Sequence, residues 1–190
     1  MDSQFVKTKI SVIDIAKREI AAHVQFKQKY LDLVKSRDWL NDYFVTLTFK
    51  YGYKNNEVQR SCDLRRYFFM LDRAILGKNA KNRGRKLYRY AVFELTKGGH
   101  LHVHILLENP SSVHVQDSAH KRLILSTWQK LDCSGSELAN KVMHIVETPE
   151  HVEAYIHKFA RVSNSLMFDP TLWHLPNDSA QCDALGIIES

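Results

Sequence analysis

Cysteine is scarce in this chain. Cys62, Cys133 and Cys182 are the only three, odd in number and widely separated, and no CxxC pair occurs. Neither a disulfide framework nor a thiolate zinc knuckle is therefore suggested, and a reducing, cytoplasmic setting inside a host cell is the expectation. Long apolar runs are missing too, so no segment suits a bilayer span and no membrane partner is expected. The opening MDSQFVKTKISVID lacks the apolar block of a secretory signal. Repeats, linkers and low-complexity stretches are absent as well. Acidic residues are thin in one place. Between Lys50 and Lys97 there are thirteen basic residues against four acidic ones, whereas from residue 98 onward there are six against eleven. The net charge is +6. A basic middle on an otherwise acidic chain favours a polyanionic partner.

What is present reads as alternating elements in 190 residues, enough for one domain with its own core. Residues 11–40 carry a helical stripe through Val12, Ile15, Ile20, Val24, Leu31 and Val34, with Asn41 at its end. DYFVTLTFK, 42–50, is a strand by its β-branched and aromatic content. Residues 57–76 return to helical spacing through Leu64, Tyr67, Phe68, Leu71 and Ile75, and Gly77 is placed to cap them. A basic loop, 78–86, leads to the strand LYRYAVFEL, a TKGG turn and the strand HLHVHILLE. A helix over 114–131, a short strand over 141–147 and a helix opened by Thr148-Pro149 follow. The tail from Ser163 reads as irregular. Strands joined by a tight hairpin imply an antiparallel sheet with helices packed on it, an α+β domain with the histidine strand near its centre.

That strand poses the functional question. In HLHVHILL, His100, His102 and His104 alternate with aliphatic residues, so all three imidazoles share one sheet face. A lone strand histidine is usually structural. Three on one face are harder to hide, because each buried ring needs partners for its nitrogens. Two imidazoles at i and i+2 can grip one ion, and Glu94, across the TKGG turn, can approach the same face. His102 and His104 with Glu94 thus form a candidate two-histidine, one-carboxylate set, whose mixed N/O ligation suits Mg²⁺ or Mn²⁺ when phosphates complete the shell. Phosphate chemistry also needs a nucleophile. In EAYIHKFA, Tyr155 and Lys158 stand at i and i+3, on one helix face. A phenol is a poor nucleophile unaided, and a neighbouring cation corrects that.

These residues carry a resemblance. HLHVHILL resembles the His-hydrophobic-His strand of the HUH endonuclease superfamily, YIHK resembles the Tyr-x-x-Lys motif of its single-tyrosine rolling-circle replication initiators, and YFVTLTF resembles their first strand motif. The three occur in the family's order over residues 43–158. The resemblance implies one HUH domain over 1–190, with an N-terminal helical segment to about 41, a catalytic core over about 42–163 and an irregular tail from 164. It implies a ferredoxin/RRM-like antiparallel sheet of about five strands. It selects His102 and His104 as the metal pair, since Gly99 stands three residues before His102 and Glu94 eight before it. His100 and Thr48 are then candidates for support around the metal. The implied activity is metal-dependent nicking and rejoining of single-stranded origin DNA, with or without a hairpin, through a 5′-phosphotyrosine on Tyr155 with Lys158 as its cation. Replication initiation on a phage or plasmid is the implied purpose, with transposition or conjugative transfer using the same chemistry. Only one tyrosine stands in the third motif, so two-tyrosine initiators match poorly. No helicase sequence accompanies the motifs, so a helicase from the host or the element is an expected partner.

Two rivals use the same strand. His100, His102 and His104 also fit the histidine-triad pattern of small nucleotide hydrolases and transferases, where His102 would attack an α-phosphate without a metal. That reading leaves Glu94, Tyr155, Lys158 and the basic middle unexplained. The other rival is a non-catalytic nucleic-acid-binding module. The basic run Lys78, Lys81, Arg83, Arg85, Lys86 and Arg89 holds six positive charges in twelve residues with no acid between them. Phosphate contact and a solvated surface explain it about equally.

Overall fold

The computed structural model describes residues 32, 34, 35, 37–50, 57–96, 99–110, 117–145 and 169–175. Among them are four strands, β1 (Tyr43–Thr48), β2 (Arg89–Leu95), β3 (Leu101–Leu107) and β4 (Lys141–His144). Three helices lie between them: α1 (Glu57–Leu76), α2 (Lys78–Arg83) and α3 (Asp117–Gln129). Single 3-10 turns occupy Glu137–Ala139 and Pro170–Leu172. The strands form one antiparallel sheet in the order β2-β3-β1-β4. A β-α-β-β-α-β chain with spatial order 4-1-3-2 is the ferredoxin-like split arrangement. The α+β class expected from the sequence is therefore the class observed, with four strands among the described residues where about five were expected. β3 is central, flanked by β2 and β1.

Alternation in the strands sorts the sheet into two faces. On one, Tyr43, Val45 and Leu47 of β1, Val103, Ile105 and Leu107 of β3 and Phe93 of β2 are all buried. The two long helices cover this face. α1 supplies Leu64, Tyr67, Phe68 and Leu71, and α3 supplies Ile124 and Trp128. Trp128 is the hinge of the packing. Its ring meets Phe49 edge-on at 5.0 Å and Tyr67 at 5.5 Å, and its indole N–H donates to the Thr48 carbonyl at 3.2 Å. Such edge-to-face pairs add to area burial because each ring's positive edge meets another's negative face. The buried stripe of α3 runs through His120, Ile124, Thr127 and Trp128, while Leu123 and Leu125, expected to face the core, are only partly covered.

The chain turns where its backbone permits. Thr96 N–H donates to the His100 carbonyl and Gly99 N–H to the Thr96 carbonyl, both at 2.9 Å, closing the β2–β3 hairpin. Gly99 sits at φ 76, a conformation that costs glycine little and other residues more. The segment expected as a basic loop instead contains α2, because Gly77 and Gly84, both at positive φ, bracket one short helix over Lys78–Arg83. The stretch at 169–175 is more ordered than an irregular tail. His174 exchanges backbone hydrogen bonds with Arg89 on the outer edge of β2, and Trp173 donates its indole N–H to the Ala91 carbonyl at 2.8 Å. Of the N-terminal helix, only 32, 34 and 35 lie within the described residues, and they are helical. The helix after Pro149, with Tyr155 and Lys158, lies outside them. No helix among the described residues is long and apolar enough to cross a membrane.

One buried ion pair ties the helical layer to the sheet. Arg89 contacts both Asp72 carboxylate oxygens at 2.9 Å, and Asp72 also accepts the Leu87 N–H at 3.0 Å. Both side chains are more than nine-tenths buried. This corrects the expectation that Arg89 is a DNA contact: its charge is neutralised inside the protein. Removing one partner of such a pair strands the other as an uncompensated charge. Asp72→Ala should therefore lower unfolding free energy by about 3–5 kcal/mol in denaturant titrations, and a loss below about 1 kcal/mol, the range of an exposed pair, would show that water reaches Arg89.

Candidate metal centre on the open face of the sheet

The other face of the sheet carries the histidines. Register places Thr46 opposite His104 and Thr48 opposite His102 on β1, and Glu94 opposite His102 on β2. All five residues share one face because antiparallel partners do. The structure thus brings together His102, His104, Glu94 and Thr48 as expected from the sequence. His100 stands apart, exposed at the hairpin, with its backbone N–H on the Thr96 hydroxyl.

Each imidazole is held through the same nitrogen. His102 Nδ1 lies 3.0 Å from the Thr48 hydroxyl, and His104 Nδ1 lies 3.1 Å from the Thr46 hydroxyl. The Thr48 contact fixes a tautomer. Thr48 Oγ1 donates its one proton to the Ala139 carbonyl at 3.1 Å, so toward His102 it can only accept. His102 must then carry its proton on Nδ1 and leave a lone pair on Nε2. This is how metal-binding histidines are commonly oriented, with the far nitrogen tied to an acceptor. Burial pushes the His102 imidazole below its ordinary pKa, with Glu94 opposing the shift, which favours the neutral ring that can ligate.

His104 is deeper and differently partnered. Its Nε2 meets Glu94 Oε2 at 2.8 Å, and the Phe44 ring stacks on it at 5.7 Å. A carboxylate only accepts, so this contact requires a proton on Nε2. The His102 and His104 ring centroids are 6.4 Å apart. Among the described residues, no three His, Cys, Asp or Glu side chains already surround a common point. The donor set nevertheless fits a hard or borderline divalent ion: two imidazoles and a carboxylate on one face, with both Nδ1 atoms engaged by hydroxyls. Such an ion would find Nε2 of His102 unprotonated and would displace the proton shared by His104 and Glu94.

Thr48 is itself clamped from outside the hairpin. Its N–H donates to Asn140 Oδ1 at 2.8 Å, and its carbonyl accepts the Gly135 N–H at 2.7 Å as well as the Trp128 indole. A Cβ at Gly135 would stand 2.8 Å from the Thr48 and Phe49 carbonyl oxygens, so only glycine allows this approach. Sequence reasoning missed Thr46, Asn140, Ala139 and Gly135 as parts of the site. Alternation did put Thr46 and Thr48 on one face, but the clamp depends on a pairing between residues about ninety positions apart that no local pattern announces.

The basic segment is far from this centre. Arg85 pairs with Glu108 at 2.8 Å, just beyond the opposite end of β3. Glu108 follows His102 by six positions, which along a strand is about 20 Å. Lys78, Lys81, Arg83 and Lys86 are exposed in the same region. Nearness in sequence to the histidine hairpin does not become nearness in space.

Neither a search of curated proteins nor one of solved structures gave a match. The family model for the replication-associated protein ORF2 does match, over residues 42–161. That stretch is more than half of the chain, and it runs from the start of β1 past the histidine strand and through Tyr155 and Lys158. The chain belongs to this family of replication-associated proteins.

Proposed function

We propose that this protein nicks and rejoins single-stranded DNA by metal-dependent transesterification, and so initiates rolling-circle replication of a phage or plasmid. The observation that carries the reading is the pair His102 and His104 on the central strand, each Nδ1 held by a threonine hydroxyl, with the Glu94 carboxylate on the same face. Membership of a replication-associated family supplies the DNA context.

In this reading His102, His104 and Glu94 hold Mg²⁺ or Mn²⁺, which when bound polarises a scissile phosphate as a Lewis acid. Zinc suits the set less well, since no thiolate takes part. The threonines keep the imidazoles oriented and exclude alternative rotamers. Tyr155, outside the described residues but within the matched stretch, attacks phosphorus through its phenolic oxygen. The bond from phosphorus to the 3′ oxygen breaks, the 5′ phosphate stays on the tyrosine, and the departing oxygen takes a proton to become a 3′-OH. Lys158, one helical turn from Tyr155, favours the phenolate by its charge. The reverse attack by a 3′-OH reseals the strand without ATP, because the phosphotyrosine ester conserves the bond. Lys78, Lys81, Arg83, Arg85 and Lys86 grip phosphates well away from the cut, and strand separation falls to a helicase partner. The histidine-triad alternative gains no support from the geometry, in which His100 is exposed and apart from the two threonine-held rings.

Incubation with Mn²⁺ and a pool of single-stranded oligonucleotides should give a covalent band on a denaturing gel. Tyr155→Phe should remove it while leaving DNA binding within about twofold, and an adduct of unchanged yield would take the nucleophile's role from Tyr155. His102→Ala with His104→Ala should abolish Mn²⁺ binding in calorimetry; retained affinity would place the ion elsewhere. Thr48→Val removes the acceptor that orients His102 and should weaken Mn²⁺ binding about 10–100-fold, the usual cost of losing such a partner. Thr48→Ser should restore it. Equal binding by the valine and serine variants would reduce Thr48 to a strand residue.

A further inference from the structure

Helix α1 has two faces of opposite character. Its inner face, Leu64, Tyr67, Phe68 and Leu71, is buried on the sheet. Its outer face presents Arg65, Arg66, Phe69 and Arg73, all exposed and spaced so that they share one side. Across Gly77 the same character continues into α2 with Lys78 and Lys81. From Leu64 to Lys86 there are eight basic residues, every one exposed, and a single acid, Asp72. Asp72 is buried against Arg89, so within this stretch no carboxylate offsets the outward charge. The contacts Arg65 makes are with neutral groups, the Thr171 hydroxyl and the Cys62 sulfur.

Phe69 sits amid these arginines with 59% of its surface exposed, and the Arg73 guanidinium lies 5.2 Å from its ring centroid. One side of the ring is thus occupied by a cation. That suits a wedge or an apolar contact within a charged surface better than a platform for stacking bases, which needs an open ring face.

Position separates this surface from the histidines. α1 packs on the face formed by Val103, Ile105 and Phe93, while His102 and His104 stand on the other. The sheet lies between the two, so one phosphate cannot touch both. A strand threaded over the histidine face does not explain the outer face of α1. A rigid, convex, cationic helix instead matches a groove of duplex DNA, where a helix fits and phosphates line both sides. We propose that Arg65, Arg66, Phe69 and Arg73, continuing into α2, form a duplex-DNA docking surface separate from the histidine face. The assignment extends the DNA-binding part of the proposed function and does not depend on nicking.

The test is fluorescence anisotropy of the full chain on a labelled duplex of about 20 base pairs, roughly two turns of B-DNA, and on one of its single strands, each over a range of salt. Arg65→Ala, Arg66→Ala and Arg73→Ala combined should cut the slope of log affinity against log salt on the duplex by about 2.7, or about 0.9 for each lost phosphate contact. Single-strand affinity and Mn²⁺ binding should stay within about twofold, and thermal unfolding should be unchanged because all three side chains are exposed. His102→Ala with His104→Ala should leave duplex affinity intact, so a failed nicking assay and a failed duplex assay are read separately. An unchanged duplex slope would overturn the proposal. So would equal losses on duplex and single strand, which would make the surface a general strand path. Binding to phosphatidylserine vesicles that needs the same arginines, without an effect on duplex affinity, would assign the face to a membrane instead.

Discussion

The register between β1 and β3 is the constraint on which the site depends. Thr46 opposite His104 and Thr48 opposite His102 put a hydroxyl beside each Nδ1. Side chains in a strand alternate with a period of two, so a slip by one residue would send both threonines to the helix-covered face and bring Val45 and Leu47 up beside the histidines. The register is fixed by the opposite face, where Tyr43, Val45 and Leu47 are fully buried under α1 and α3. Core packing on one side of the sheet thereby determines polar geometry on the other. The loop from Cys133 to Asn140 adds a second lock, since it bonds both the backbone and the hydroxyl of Thr48.

Most of the architecture was legible in local patterns. The α1 stripe through Leu64, Tyr67, Phe68 and Leu71, and the alternation of YFVTLT and HLHVHILL, follow from the two periods of helix and strand, and the hairpin from TKGG. Glu94 could be placed beside the histidines because a tight turn fixes its pairing. What was not legible is non-local. Nothing in the spacing of Asn140 or Gly135 points at Thr48, and Arg89 reads as one more basic residue until Asp72, seventeen positions earlier, is seen to neutralise it. Lys78–Arg83 was missed as a helix because a six-residue helix carries too little periodicity to distinguish it from a polar loop.

Charge is partitioned by the same topology. The hairpin carries the histidines at one end of β2 and β3, and α2 and Arg85 lie at the other. The helices lie beneath the sheet, and their outward arginines point away from the histidine face. A polyanion longer than one domain can therefore meet the protein in two places at once, and linking two weak contacts on one polymer raises their joint strength without any new contact. The cation-rich surface needs no precise chemistry, since phosphates are read there as charge. The histidine face needs a great deal, and it alone is built on the central strand, where two neighbouring strands hold each residue.

The two histidines are not equivalent, and the difference bears on how a metal would be taken up. His102 already has its proton on Nδ1, because the Thr48 hydroxyl is committed to the Ala139 carbonyl and can only accept. Its Nε2 is ready to ligate without rearrangement. His104 has a proton between Nε2 and Glu94. A divalent ion at that position would exchange one cation for another between an imidazole and a carboxylate, so the Glu94 charge stays compensated in both states. Release of that proton couples binding to pH, as it does wherever ligands must be deprotonated. The partly buried carboxylate is thus never left alone, which lets the sheet hold the ligands in place before the ion arrives.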